Sequence, residues 1–310
     1  TNLTKDEKAV NNLINNQVTA LANRSNNPQA VFQDSLTSTL YPGNPVFRTM
    51  TVDEVKSVNY DRALELGKQL FGNAKDYTFF FVGNFDEAKI LPLIEQYIAS
   101  LPSNGKKFKN VETLPVKGEV VNKFTKAMEN PQDVAVEIWC SEAPYTLRNS
   151  VLADIAARVI NMDYNRNIRE KLSAAYYAGA DAMESVKLDG KTMRVGVTGN
   201  AMMNPDKSKD AIPYFYSGLK DAMEQPNLDD LQKVKEILLK QADVSCKQNG
   251  YWMGVISEYL LHGIDTHTNY KKEVSSVDAK AVSDFLKNVV MKDGNHVEVI
   301  MHATKAGEAK

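Results

Sequence analysis

The sequence predicts an α+β fold in which helices pack on one face of an antiparallel sheet. The chain has 310 residues, a length typical of about two domains. Hydrophobic residues make up 43% of it and charged residues 25%, as in ordinary globular proteins. Helical and strand-like segments do not alternate one by one. Strand hairpins precede pairs of helices, and this order favours α+β over a parallel α/β sheet.

The first hundred residues are predicted to be mostly helical. Apolar residues recur at helical spacing over 5–24, with Thr4 as the expected cap, and a second helix is expected over 29–40. Thr51 followed by Glu54 is the capping-box pattern and predicts a third helix that runs to about residue 70.

A strand is predicted next, over 77–83. This segment is aromatic and β-branched and carries no charge, so we expect it to be buried on both faces of a sheet. A helix is expected over 87–101. The polar stretch 102–118 contains several lysines and is typical of a linker between domains.

The remaining residues contain the second set of elements. The Asp189–Gly190 pair predicts a hairpin turn between two of the strands. Asn227 or one of the aspartates near it is expected to cap a long helix, and Gly263 to end the helix after it. The predicted strands are 120–124, 134–140, 176–186, 191–199 and 296–301, and the predicted helices are 147–161, 162–172, 207–224, 227–246, 251–262 and 278–289.

Charge and composition exclude several classes of protein. Lys and Arg number 37 against 39 Asp and Glu, so the net charge of −2 gives no reason to expect a nucleic-acid partner. No apolar run approaches the ~20 residues of a membrane span. Cys140 and Cys246 are too few for a disulfide scaffold or a four-thiolate zinc site, and whether they pair is undecided. Because the chain opens with Thr1, we expect it to be a piece of a longer protein.

Familiar catalytic motifs are absent from the sequence. No HExxH or HxxEH string, no GxSxG elbow and no GxGxxG loop is present. Paired carboxylates fall at predicted helix starts, where the helix dipole favours them. We therefore expect structural or surface roles for the four histidines, His262, His267, His296 and His302, and no metal site in this chain.

One segment combines residues suited to substrate contact. Arg169 and Tyr176 lie seven residues apart, where a predicted helix passes into a strand. A guanidinium and a phenol together could hold a peptide carbonyl or a developing oxyanion. A plainer interpretation remains open, in which Arg169 complements the end of a helix and Tyr176 packs in a strand.

The sequence REKLSAAY over 169–176 resembles a segment of the pitrilysin/insulinase family of zinc metallopeptidases, the inverzincins. Ser173 replaces the glycine usual in that family, and the Arg-to-Tyr spacing is kept. The turn at 41–45, the segments from Tyr60 to Pro102 and the closing helix and strand are similar as well. The resemblance covers nearly the whole chain.

This resemblance implies a clam-shell of four related domains. Residues 1–101 would be the later, truncated part of the third domain, 102–118 a linker and 119–310 the complete fourth domain. Zinc would be held by the N-terminal half, which this chain lacks. There it would activate water for peptide hydrolysis. Arg169 and Tyr176 would contact the peptide substrate. Tyr177 is the alternative to Tyr176, because adjacent residues of a strand point to opposite faces of the sheet and a one-residue slip in register would exchange them.

Two functional hypotheses follow from the resemblance. The chain is the substrate-binding half of a zinc endopeptidase, inactive alone and partnered by its own N-terminal half, or it is a non-catalytic scaffold subunit. Retention of Arg169 and Tyr176 favours the first. For the compartment, bacterial periplasm or cytoplasm is expected.

Overall fold

The computed structural model describes residues 3–103 and 109–305. The chain divides into two compact units, each formed by two stretches of sequence. The first unit comprises Thr1–Val31 and Arg48–Val111, and the second comprises Phe32–Phe47 and Glu112–Lys310. Residues 32–47 therefore belong with the C-terminal unit, which sequence order alone does not indicate.

The first unit is helical, as predicted, with differences at the helix ends. Asp6 caps the first helix by accepting from the amide of Ala9, so the expected cap at Thr4 is wrong. The capping box of Thr51 and Glu54 is confirmed. Its helices are α1 (Glu7–Arg24), the start of α2 (Pro28–Leu40), α3 (Val52–Lys56), α4 (Tyr60–Phe71) and α5 (Glu87–Tyr97).

The helix predicted from Thr51 to about residue 70 is interrupted after Lys56. Asn59 adopts an extended backbone, and its side chain accepts from the amide of Arg62. An asparagine that caps a helix in this way starts a new one. α3 and α4 are therefore separate helices.

The strand predicted over 77–83 is wrong. The segment is not hydrogen-bonded into a sheet in the described part of the chain, and Phe79 and Phe81 are each 43% exposed. A strand exists only through pairing with a neighbour, and aromatic content alone supplies no such neighbour. This leaves a row of exposed aromatic side chains on the first unit.

The second unit is built around a five-stranded sheet of order β1-β5-β2-β4-β3. All strand pairs are antiparallel except β1 and β5, which run parallel. The strands are β1 (Glu119–Met128), β2 (Asp133–Pro144), β3 (Ala175–Val186), β4 (Thr192–Met203) and β5 (Asn295–Lys305). The helices are α6 (Leu147–Tyr164), α7 (Pro205–Ala211), α8 (Pro213–Glu224), α9 (Leu228–Ser245), α10 (Asn249–His262), α11 (Tyr270–Ser276) and α12 (Ala279–Phe285).

The turns and helix ends of this unit lie at residues that the sequence indicated. Gly190 has a φ of 67° in the β3–β4 hairpin, and Gly263 has a φ of 74° at the end of α10. Asn227 caps α9, as predicted. The helix expected over 207–224 is divided into α7 and α8, because Pro213 has no amide hydrogen to continue the helical bonding.

The main core lies between the sheet and its helix layer. Alternate residues of β2 and β4, such as Trp139 and Val197, meet fully buried residues of α6 and α8, among them Ile155 and Phe215. Burial of side chains of this size stabilises a fold by about 2 kcal/mol each.

A second, smaller core covers the opposite face of the sheet, so the helices are not confined to one face as predicted. Phe32 of α2 packs against Val136 of β2 and Val299 of β5. The side chain of Asn122 on β1 also donates to Ser35 and Thr39 of α2. The C-terminal part of α2 thus belongs to the second unit's sheet.

The two cysteines are free thiols, with Cys140 buried and Cys246 partly exposed. None of the helices among residues 3–103 and 109–305 combines the length and apolar character that a membrane crossing requires.

Candidate functional site

Arg169 lies on a π-helical continuation of α6, Asn165–Lys171. The wider turn is closed by the amide of Leu172, which donates to the carbonyl of Asn167 at 3.1 Å. Ile168 is fully buried and anchors this turn in the main core, while Arg169 points to the exposed side. π-type turns of this kind are rare in proteins overall, and those that occur are often found at functional sites.

The chain reverses direction at Ser173. Its φ of 47° makes it the single non-glycine residue with a positive φ in the described part of the chain. The amide of Ala174 then donates to the carbonyl of Ile168 at 3.0 Å, and the carbonyl of Ala174 accepts from Asn204 at 2.8 Å. The left-handed backbone favours glycine at this position, although the sequence has serine.

Tyr176 is the extra residue of a β-bulge at the start of β3. Ala175 pairs with Met203 and Tyr177 pairs with Met202, so Tyr176 has no partner on β4. Its side chain is 90% exposed. Bulges are over-represented next to active sites because they redirect a side chain. The sequence contains no signal for this bulge.

The side chains of Arg169 and Tyr176 make no hydrogen bond or ion pair with another residue of the described chain. The carbonyls at the end of the π-helix are instead bonded by Lys207, whose ammonium donates to Leu172 at 2.9 Å and to Ser173 at 3.1 Å. The role of complementing the helix end therefore belongs to Lys207.

Tyr177, the alternative to Tyr176, has a different environment. Its hydroxyl lies over Gly179, where a Cβ atom would come within 2.7 Å of the hydroxyl oxygen. A Cβ on Gly179 would also approach the Asn161 side-chain oxygen, which accepts from the amide of Ala180. Tyr177 is half-exposed and packed along β3, in contrast to Tyr176.

Histidines on the sheet are engaged with buried carboxylates. His296 lies 2.6 Å from Glu137, and its pKa is raised chiefly by that hydrogen bond. Burial raises the pKa of Glu137 to about 7. His302 contacts Asp133 at 2.8 Å. Glu137 was not predictable as part of this pair, because a lone glutamate in a strand gives no sign of its buried partner.

Metal binding is not supported by the donors in the described ranges. They contain no group of three or more His, Cys, Asp or Glu side chains placed to hold a metal ion. A zinc site requires at least three such ligands. The residues described here therefore do not fit a zinc ion.

The comparison with protein families gives one match, described as the inactive domain of M16 peptidases, over residues 57–238. The chain belongs to this family. The M16 family contains the zinc metallopeptidases that the REKLSAAY segment resembles, so the recognition from sequence is confirmed. The domain is of the type described as inactive.

Curated relatives of this M16 chain carry zinc protease names. A "Zinc protease PQQL-like" from Arabidopsis thaliana is 22% identical over 268 residues, 82% of the chain and 28% of that protein. The "Probable zinc protease PqqL" of Escherichia coli K12 is 28% identical over 170 residues, 53% of the chain and 18% of that protein. The chain thus spans less than a third of the relatives it matches.

Solved structures confirm the α+β M16 fold. The periplasmic protease PqqL from Escherichia coli superimposes with a TM-score of 0.80 at 18% identity, over 97% of this chain and 33% of that one. An M16 inactive domain from Pseudomonas fluorescens gives a TM-score of 0.76 at 13% identity, over 99% of this chain and 73% of that one.

Proposed function

We propose that this chain is the C-terminal, substrate-binding half of a zinc-dependent endopeptidase that hydrolyses peptides in a clam-shell chamber. The observation that carries the proposal is the pair Arg169 and Tyr176. Both are exposed and without a protein partner, at a π-helix and a β-bulge that direct them outward. The zinc would be held by another part of the protein, because the donors described here do not fit it.

The two side chains have defined roles in this proposal. The guanidinium of Arg169 donates to a peptide carbonyl oxygen. The hydroxyl of Tyr176 donates to the same carbonyl or to a neighbouring one. Donors positioned for a developing oxyanion are each typically worth on the order of 3 kcal/mol in the transition state.

The exposed aromatic segment supports the proposed domain assignment. Residues 1–101 would be the later part of a third peptidase-like domain, 102–118 a linker and 119–310 the fourth domain. Tyr77, Phe79 and Phe81 are exposed and belong to no strand in the described ranges, as expected for a segment whose sheet neighbours come from elsewhere in the protein. The N-terminal half of the same protein is therefore the proposed partner.

The compartment proposed for the full-length protein is the bacterial periplasm, with the cytoplasm as the alternative. The support is the similarity in fold to PqqL of Escherichia coli, a periplasmic protease. PqqL has 18% sequence identity to this chain, so the similarity between the two is one of fold.

A non-catalytic scaffold subunit is the second candidate. The domain is of the inactive type, and a chain of Complex III from Candida albicans superimposes with a TM-score of 0.65 over 96% of this chain. A scaffold would have no need of Arg169 and Tyr176 as unpartnered donors.

The test is peptide turnover by the full-length protein. Arg169→Ala should lower kcat/KM by at least about tenfold, without a change in the free energy of unfolding. Arg62→Ala, which removes an exposed arginine paired with Glu65 on the first unit, is the matched control and should have wild-type turnover. The isolated chain should bind no stoichiometric zinc and cleave no peptide. Wild-type turnover by Arg169→Ala would reject the role of Arg169, and tightly bound zinc in the isolated chain would reject the placement of the metal.

A further inference from the structure

A cavity of about 540 Å³ opens in the helix layer of the second unit, and its lining includes neither Arg169 nor Tyr176. Its volume lies in the range of small-molecule pockets. α6, β3, α9 and α10 all contribute to its wall. The apolar part of that wall is formed by Leu147, Val151, Leu238, Ala242, Val255 and Tyr270.

The space in the cavity comes from two glycines on α10. Gly250 and Gly254 lie one helical turn apart, and a Cβ atom on either would have no other atom within 4 Å. Glycine in the interior of a helix costs about 0.5–1 kcal/mol relative to alanine. Neither Gly250 nor Gly254 has a positive φ. The backbone conformation therefore does not explain why glycine occupies these two positions.

The charged residues on the cavity wall are Asp154, Arg158, Glu184 and Glu258. Glu184 accepts a hydrogen bond from Ser150 at 2.9 Å, and Glu258 accepts one from Tyr145. Neither carboxylate has a cationic side chain within ion-pair distance among the residues described. Asp154, by contrast, is paired with Arg158 at 2.6 Å.

The environment of Glu184 is unfavourable for its charge. Glu184 is exposed to solvent, yet partial desolvation by the surrounding wall raises its pKa, and the nearby charges of Asp154 and Glu258 raise it further. A carboxylate held in such a place without a counter-ion is stabilised by any cation that enters. The cavity therefore combines an apolar wall with two acidic groups that lack cationic partners.

We propose that this cavity is a binding site for a ligand with an ammonium group on an apolar body. The ammonium contacts Glu184 and Glu258, and the apolar body lies against α9 and α10 in the space beside Gly254. Two sources share this chemistry: a free aromatic or alkyl amine, and the lysine side chain of a peptide. The proposal does not depend on the peptidase function and concerns this chain alone.

The test is calorimetric titration of this chain with phenethylamine, with 3-phenylpropionate as a probe of similar size and opposite charge. The amine should bind with saturation, and the acid should not. Blocked lysine methylamide is titrated in parallel, and binding tighter than that of phenethylamine would identify the peptide side chain as the source. Equal binding of the amine and the acid, or no saturable amine binding at millimolar concentration, would overturn the proposal.

Variants separate the site from general stability. Glu184→Gln should weaken phenethylamine binding at least tenfold, while Glu236→Gln on the exposed side of α9 should not change it. Gly254→Leu should abolish binding by filling the cavity. Gly254→Ala adds a single methyl group and is the matched control: it should keep binding and raise the melting temperature. Unchanged binding by folded Gly254→Leu would show that the amine sits elsewhere and would also overturn the proposal.

Discussion

Lys207 of α7 donates a hydrogen bond to the bend at Ser173, with its ammonium nitrogen 3.1 Å from the Ser173 carbonyl oxygen. The same group donates to the carbonyl of Leu172 at 2.9 Å. Arg169 precedes this bend and Tyr176 follows it. A lysine from a different element therefore helps to hold the path of the chain between these two exposed side chains, together with the backbone hydrogen bonds of Ala174.

Replacing Lys207 should loosen the bend. Lys207→Met removes two hydrogen bonds from a charged donor, and we expect the free energy of unfolding to fall by about 1 kcal/mol, measured by urea denaturation. Lys209→Met, on the same short helix and exposed, is the matched control and should be neutral. A Lys207→Met protein as stable as Lys209→Met would show that the bend holds without this lysine.

Substitutions at Ser173 should change the free energy of unfolding in the order expected for a residue with a left-handed backbone. Ser173→Gly relieves the unfavourable φ of 47° and should leave the stability equal or raise it by up to about 1 kcal/mol. Ser173→Val places a β-branched residue at the same φ and should cost about 1–2 kcal/mol or more. Urea denaturation of the two variants measures this order, and equal stability of both would contradict the assigned backbone conformation.

The buried pair of Glu137 and His296 predicts a loss of stability as the pH rises from acidic values through neutrality. Burial raises the pKa of Glu137 from 4.5 to about 7, and the hydrogen bond with Glu137 raises that of His296 above 6.5. Because the folded state holds these protons more tightly than the unfolded chain, stability falls as the pH rises through 4.5–7 for Glu137. For His296 the stability is present below 6.5 and is lost as the pH rises through the raised pKa. Glu298, opposite Glu137 in the β2–β5 register, strengthens the effect of Glu137.

Thermal and urea unfolding at pH 5 and pH 8 measure this effect. The wild-type chain should lose on the order of 2 kcal/mol more between these two conditions than Glu137→Gln, which cannot titrate. Subtracting the stability change of Glu137→Gln from that of the wild type removes the pH dependence that comes from titratable groups far from the pair. Parallel pH profiles for the wild type and Glu137→Gln would contradict the assignment.

Local features of the fold were predictable where a side chain bonds its own backbone. The capping box of Thr51 and Glu54, the cap at Asn227 and the turn at Gly190 all follow from interactions within a few residues. The Arg169-to-Tyr176 segment was identified by resemblance, since its chemistry on its own allows a structural role.

Features that depend on distant partners were not predictable. The segment 77–83 has the composition of a buried strand, but pairing requires a second strand. The bulge at Tyr176 and the left-handed backbone at Ser173 arise from how β3 meets β4 and the buried end of the π-helix. Nor does sequence reveal that Lys207 bonds the carbonyls of that helix end.

The segment 77–83 should exchange its amide hydrogens rapidly in this chain. The amides of residues 78–82 make no backbone hydrogen bond within the described ranges, whereas those of β2 are bonded on both sides of the strand. Hydrogen exchange followed by mass spectrometry should show little protection over 78–82 and strong protection over β2. In the full-length protein the protection over 78–82 should rise, because the proposed sheet neighbours are present. Strong protection in the isolated chain would contradict the absence of pairing.

A double-mutant cycle on Arg169 and Tyr176 in the full-length protein tests the central claim most directly, with kcat/KM for a peptide substrate as the readout. Each single change, Arg169→Ala and Tyr176→Phe, should lower kcat/KM, and the double variant should lose less than the product of the two losses because both groups act on one bound peptide. Tyr177→Phe is the matched control and should retain wild-type turnover. Wild-type kcat/KM in both single variants would contradict the account.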